Sequence, residues 1–300
     1  MAQAERKNES ARYKLLALDV DGTILMSNHS MAKVTQQAIS GLADRGVFVT
    51  LATGRAYPSA KALARQLNIS TPLVSHDGAY VADPLTDEEL HVSRIPVETT
   101  ASVTNILAKY ELDVMLLHEA YTLTNRRWKW KDLYPLVNTR TLRQLWRERY
   151  PVKLMTSADL IGHVQEHAVR VPKIFVMGEE SEIAVARKEL ETTDLPEIRV
   201  TTSGARNLEI LPEGISKASG LALLAKRLEI SPEQIVAVGD NYNDLEMLQF
   251  VGMGVAMGNA PDEVKRLARH VTDTNDQHGV AAVIQKFFGI HDAENAEKEV

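Results

Sequence analysis

Short apolar runs that stop at acidic or glycine-bearing turns, each followed by a helical pattern, constrain this chain more than any other feature. The first run, LLALDV at 15–20, lies between Lys14 and an Asp-Gly pair and predicts a buried strand. Residues 32–45 then place Val34, Ala38, Ile39 and Leu42 at helical spacing, with Gly46 as a stop. VFVTLAT at 47–53 predicts a second strand, 57–68 a helix, and TPLVS at 71–75 a third strand. The same alternation returns near the other end. There the pattern predicts helices at 217–228, 243–250, 261–268 and 279–288. Between them lie a strand at 235–240, an apolar stretch at 251–257 and a short strand at HVTD. Strand–helix alternation of this kind implies an α/β fold with a parallel, doubly wound sheet.

The middle of the chain has a different texture. It offers strands at 112–118, 173–178 and 197–203, helical segments at 97–110 and 180–191, and a basic stretch at 126–153. A length of 300 residues suggests two domains at about 150 residues each. From Arg55 to Lys217 the chain runs far beyond the few residues of an ordinary connection, even after another core helix and strand are subtracted. Only about ten residues separate Asp21 from the helix at 32, too few for a domain. The second unit is therefore expected after the third strand. The expected division is a discontinuous core at 1–84 and 209–300, with an inserted α+β domain at 85–208.

Composition narrows the function classes. With no cysteine, a disulfide scaffold and any thiolate metal site are excluded. A formal charge of −6 argues against a long nucleic-acid partner. No apolar run approaches the roughly 18–20 residues of a membrane span. The N-terminus is polar and lacks the apolar core of a signal peptide. A cytoplasmic location is expected, with a disordered lead-in at 1–12 and a charged tail at 291–300.

Four elements fall at strand or helix ends, where ligands bind in an open parallel sheet. In Asp19-Val20-Asp21-Gly22-Thr23, two carboxylates lie two apart just where a strand gives out. Held close, they repel unless a cation or a shared proton lies between them; a plain turn cap is the other reading. Thr53-Gly54-Arg55 offers a hydroxyl, an amide and a guanidinium, which is either a phosphate cradle or a strand-end turn with a solvated Arg. Asp240, Asn243 and Asp244 are hard oxygen donors suited to Mg²⁺, or else helix-capping groups. Lys217 opens a helix, where a cation opposes the helix dipole unless an anion sits there too; a solvated Lys is the bland reading.

Taken together, DxDGT, TGR, Lys and GDxxND in this order resemble the haloacid dehalogenase superfamily, specifically its Cof-type phosphatases. The resemblance covers nearly the whole chain. It implies a Rossmann-like core with a cap of the C2 type, and a Mg²⁺-dependent phosphatase acting through an aspartyl-phosphate. Asp19 would be the nucleophile and Asp21 the general acid and base. Asp19, the Asp21 carbonyl and Asp240 would hold Mg²⁺, with Asp244 in or near that set. Thr53, the Gly54 amide, Lys217, the Val20 amide and Asn243 would bind the phosphoryl group. Arg55 would touch phosphate or brace its loop.

One departure stands out. Such proteins commonly carry Asn-Gly-Ala after the third strand, and here it is Asp77-Gly78-Ala79. A substrate contact carried over to Asp77 is therefore in doubt, and the neighbouring His76 reads as a packed or surface residue. Residues 126–153 hold nine basic side chains, two acids and all three tryptophans, Trp128, Trp130 and Trp146. This stretch reads either as a solvated helix face or as a surface for an anionic or aromatic substrate. The expected partner is a small phosphorylated metabolite of sugar phosphate, flavin or nucleotide monophosphate type. Rivals are a phosphotransferase or mutase on the same fold, and a non-catalytic phospholigand-binding module. Oligomeric state is not readable.

Overall fold

The computed structural model describes residues 13–125 and 151–289. The expected lead-in, the tail and residues 126–150 of the basic stretch lie outside the described residues.

The central sheet contains β1 (Leu15–Leu18), β2 (Phe48–Leu51), β12 (Ile235–Gly239), β13 (Met253–Ala256) and β14 (His270–Val271). Its order is β14-β13-β12-β1-β2, and every pairing is parallel. A parallel bridge from Ala52 to Val74 extends it to β3 (Leu73–Ser75). The chain runs outward from β1 to β2 and β3, and later returns on the other side of β1 to β12. The order therefore reverses between β1 and β12, which opens a crevice beyond their carboxyl ends.

The apolar runs are buried on both faces because each face has its own helical layer. Leu16 and Leu18 of β1 pack in one cluster with α1 (Lys33–Ala43), α2 (Tyr57–Gln66) and α9 (Gly279–Phe288), through Ile39, Leu63 and Ile284. Leu15 and Ala17 pack in a second cluster with α6 (Lys217–Arg227), α7 (Leu245–Phe250) and α8 (Asp262–Leu267). All four β1 residues are fully buried. At roughly 1.5–3 kcal/mol for each large apolar side chain removed from water, this strand is a main anchor of the core.

β3, β4 (Tyr80–Ala82) and β5 (Glu89–Val92) form an antiparallel ribbon. The second large sheet contains β6 (Asp113–Leu117), β7 (Thr122–Thr124), β8 (Val152–Leu154), β9 (Lys173–Met177), β10 (Ile198–Thr201) and β11 (Asn207–Pro212). Its order is β10-β11-β9-β6-β7-β8. One face carries Val114, Leu116, Ile174, Val176, Leu208 and Ile210, in a cluster with α3 (Val97–Leu107), α4 (Ser157–Glu166) and α5 (Glu180–Thr192). The alternate residues Met115, Leu117, Lys173, Phe175 and Glu209 take the other face. They line a cavity shared with the ends of β1 and β2.

Several expectations shift. LLALDV is a strand only to Leu18, because Asp19 and Val20 already start the turn that Val20 closes by accepting from the Ile24 and Leu25 amides. β4, β5, β7, β8, β11 and α4 escape the sequence pattern. Both expected domain cuts fall within paired structure. β5, beyond the 84/85 cut, pairs with β4, and β11 runs past 208 while paired to β9 and β10.

Candidate active site

Asp19 sits one residue beyond β1, and its amide donates to the Val238 carbonyl of β12 at 2.9 Å. It therefore stands at the crevice. Lys217 is the first residue of α6, which Ser216 caps by accepting from the Ser219 amide. The Lys217 side chain is buried, and its Nζ donates to Asp19 Oδ1 and to Asp244 Oδ1, each at 2.7 Å. A cation at a helix N-terminus is thus stabilised by two carboxylates in contact rather than by solvent.

Asp244 closes a 3-10 turn at Tyr242–Asp244. Its Oδ2 accepts from the amides of Asp240 and Asn241, each at 2.9 Å. The capping reading of GDxxND therefore holds, with Asn241 as the cap residue. Asp240 follows β12, and its Oδ1 accepts from the Thr23 hydroxyl at 2.9 Å. Gly22, at φ +83°, is required here, since a Cβ there would lie 2.3 Å from Asp240 Oδ2.

One ligand atom from each of Asp19, Asp240 and Asp244 falls within 4.8 Å of the others, and all three residues are buried. Burial and mutual repulsion both act on this set. Burial pushes the Asp19 carboxyl well above the usual carboxylate range; Lys217 opposes this, while Asp244 and Asp240 add to it. Burial, then the Asp244 charge, pushes Asp240 up to about 7. Burial works against the charged Lys217, but the Asp19, Asp244 and Asp77 charges outweigh it and hold the ammonium well above its ordinary range.

Asp21 is different. Its side chain is 54% exposed and takes both fork bonds of Arg55, Nε to Oδ2 at 2.7 Å and Nη2 to Oδ1 at 2.6 Å. Partial desolvation pushes this carboxyl up, and the Arg55 bonds and charge outweigh it, so the group lies below its usual range. Thr53 is buried and its hydroxyl accepts from the Arg55 amide at 3.2 Å.

The shared cavity has a volume of about 440 Å³. Of the expected residues, Asp19, Asp21, Thr53, Gly54, Arg55 and Asn243 line it. Lys217, Asp240 and Asp244 are gathered beside or behind Asp19. Val20 puts its side chain into the core, so only its main chain is left to face the site. Asn243 spends one amide hydrogen on Asp77 Oδ1, at 3.1 Å.

Asp77 corrects the expectation of a substrate contact. It is 1% exposed and is not on the cavity wall; it pairs with Lys173 and Asn243 instead. Burial pushes its carboxyl up, but the Lys173 and Lys217 charges outweigh this and bring it to about 2. His76 is fully buried, as a packed residue. Sequence reasoning missed Lys173, Glu209 and the apolar wall of Met115, Leu117 and Phe175. The available signal was the two-residue alternation in KIFVM and NLEILP, which sets Lys173 and Glu209 on the face opposite Ile174, Val176, Leu208 and Ile210.

An open α/β crevice that combines buried acids, a buried Lys and a hydroxyl–amide loop under a second sheet defines a group-transfer enzyme. Residues 16–284 match the haloacid dehalogenase-like hydrolase family. The stress response protein YhaX of Bacillus subtilis is 35% identical over 276 residues, covering 92% of this chain and 93% of that protein. The 5-amino-6-(5-phospho-D-ribitylamino)uracil phosphatase YitU of the same organism is 30% identical, covering 92% of this chain and 98% of that protein. A crystal structure of a haloacid dehalogenase-like hydrolase from Bacteroides thetaiotaomicron superimposes with a TM-score of 0.76 at 27% identity, covering 92% of this chain and 100% of that one. The chain belongs to the haloacid dehalogenase-like hydrolases and, within them, to the Cof-type phosphatases. Among the described residues no helix is long and apolar enough to cross a membrane.

Proposed function

We propose that this protein is a Mg²⁺-dependent phosphomonoester hydrolase acting on small phosphorylated metabolites through an aspartyl-phosphate. The observation that carries the reading is the Lys217 ammonium held between Asp19 and Asp244 beside a cavity lined by Asp21, Thr53 and Gly54. The donor set fits a hard divalent cation. Three buried carboxylates share one small space, and two of them are pushed up by burial and by the charges of their neighbours. Asp19, Asp240 and the Asp21 carbonyl would hold the ion. With both its oxygens already accepting hydrogen bonds, Asp244 braces the set. When bound, the ion would lower the charge that a phosphate dianion meets and polarise its oxygens.

The protein's own groups account for the rest. A carboxylate oxygen of Asp19 attacks phosphorus as the bond to the leaving oxygen breaks, and Asp21 delivers the proton that oxygen needs. Asp21 then takes a proton from water, whose oxygen attacks the aspartyl-phosphate, releasing inorganic phosphate and restoring Asp19. Lys217 orients Asp19, while the Thr53 hydroxyl and Gly54 amide face the transferring oxygens. Arg55 favours the ionised, base form of Asp21.

We assign the six-stranded sheet and its helices to a cap domain that covers the site and excludes water. Met115, Leu117 and Phe175 supply an apolar wall for the leaving group. A ring-bearing or sugar-type phosphate suits that wall, and the name of YitU supports a ring-bearing one. A long nucleic acid or a membrane does not suit so small a cavity.

The test is release of p-nitrophenol from p-nitrophenyl phosphate, with Mg²⁺ and with EDTA, by the native chain and by Asp19→Asn. Release that needs Mg²⁺ and disappears in the variant is expected. Metal-independent release, or full activity in Asp19→Asn, would overturn the reading.

A further inference from the structure

Lys173 has no part in the reaction outlined above, yet it is 2% exposed and among the bulkiest buried side chains. It begins β9 of the cap sheet. Its successor Ile174 points into the cap's own core, so Lys173 points the other way, towards the core domain. There its Nζ meets Asp77 Oδ2, lies 3.3 Å from Glu209 Oε2, and donates to the Gly54 carbonyl at 3.4 Å. Glu209 belongs to the cap, while Asp77 and Gly54 belong to the core. Asp77 is fixed in turn by Asn243.

The packing leaves no slack. A Cβ on Gly54 would lie 2.9 Å from both Asp77 Oδ2 and Lys173 Nζ, so the TGR loop runs directly against this ion pair. An ammonium buried without its carboxylates is costly, and the carboxylates are costly without it. With the cap in place, the ammonium lies against both carboxylates and all three side chains are buried. With the cap lifted, Lys173 leaves Asp77 and the Gly54 carbonyl loses its donor.

Resting on the hydrolase reading, we infer that Lys173 is a positioning residue: through Asp77 and the Gly54 carbonyl, closure of the cap sets the Thr53-Gly54-Arg55 loop in its phosphate-binding geometry. The cap then does more than exclude water. It completes the phosphate cradle from 119 residues away in sequence, which ties turnover to closure.

The experiment combines kinetics with a distance. Lys173→Met, Lys173→Arg, Asp77→Asn and the Met/Asn double variant are assayed with p-nitrophenyl phosphate and Mg²⁺. The chain has no cysteine, so spin labels at Lys188→Cys on the cap and Lys226→Cys on the core, both exposed, report their separation cleanly. Lys173→Met should lower kcat about tenfold while KM moves less than about threefold, since a misplaced loop costs the transition state more than binding. Arg should restore part of the loss. The double variant should be no worse than Lys173→Met alone, and label distances should broaden towards longer values. Should Lys173→Met not fold, the near-isosteric Asp77→Asn carries the same test with a smaller loss. A kcat within about twofold of native with an unchanged distance distribution, or losses that multiply in the double variant, would overturn the inference. If the native chain hydrolyses no ester, the hydrolase reading fails, and the label distances alone decide whether Lys173 fastens the cap.

Discussion

Replacing Asp240 by Asn should make the metal-free protein more stable at pH 8, not less. The carboxyl of Asp240 is pushed up to about 7 by burial and by the Asp244 charge, against an unfolded value near 4. Below pH 4 both states hold the proton, and the site's contribution to stability is complete. Between about 4 and 7 only the folded state keeps it, so stability falls by about 1.4 kcal/mol for each pH unit. From pH 5 to pH 8 the loss is roughly 2–3 kcal/mol. Asn has nearly the same shape, keeps an oxygen for the Thr23 hydroxyl, and carries no charge to lose. The assay is urea unfolding in EDTA at several pH values, followed by far-UV circular dichroism because all three tryptophans lie between 128 and 146. Native and variant should be close at pH 5 and diverge in favour of the variant by pH 8. Mg²⁺ at about a hundred times its Kd should then close the gap, because it adds about 2.7 kcal/mol to a folded state that binds it. Parallel pH profiles in EDTA, or a variant weaker than native at pH 8, would refute the reasoning.

Three further outcomes follow from the same geometry. Lys217→Met strands Asp19 and Asp244 without their shared cation, so unfolding in EDTA should cost about 3–5 kcal/mol less than in the native chain. Arg55→Ala removes the groups that hold the Asp21 carboxyl down, so the alkaline limb of the kcat/KM profile, where Asp21 loses the proton it must deliver, should move to higher pH; an unmoved limb would separate Asp21 from the titration. Gly78→Ala combines a φ of +99° with a Cβ 2.0 Å from the Ser216 carbonyl oxygen; a loss of about 3 kcal/mol or more, read as a fall in Tm, is expected at the junction with α6.

Lys173 and Asp77 mark the boundary of what could be read in advance. Asp19, Asp21, Lys217 and Asp240 stand where apolar periodicity breaks, and a charge at such a break is visible in a string of letters. Lys173 instead occupies a strand position where alternation alone permits either solvent or a buried partner. Asp77 looked like a residue at the site mouth, because its burial depends on a side chain 96 positions away. The strand at Asn207–Pro212 was missed for a related reason. Its alternation is clear, but its inward acid resembles a polar face.

The sequence by itself determined the doubly wound core, because runs such as LLAL and IVAVG can be satisfied only between two helical layers. It also determined which chemistry stands at the ends of those strands, since backbone geometry ties a strand's last residues to the sheet's carboxyl edge. Tertiary structure alone decided which charges meet. Ion pairing depends on distances of a few ångströms between segments a hundred or more residues apart, and no local periodicity records them. The Lys217 bond to Asp19 and the Lys173 tie from the six-stranded sheet to Asp77 are both of this kind.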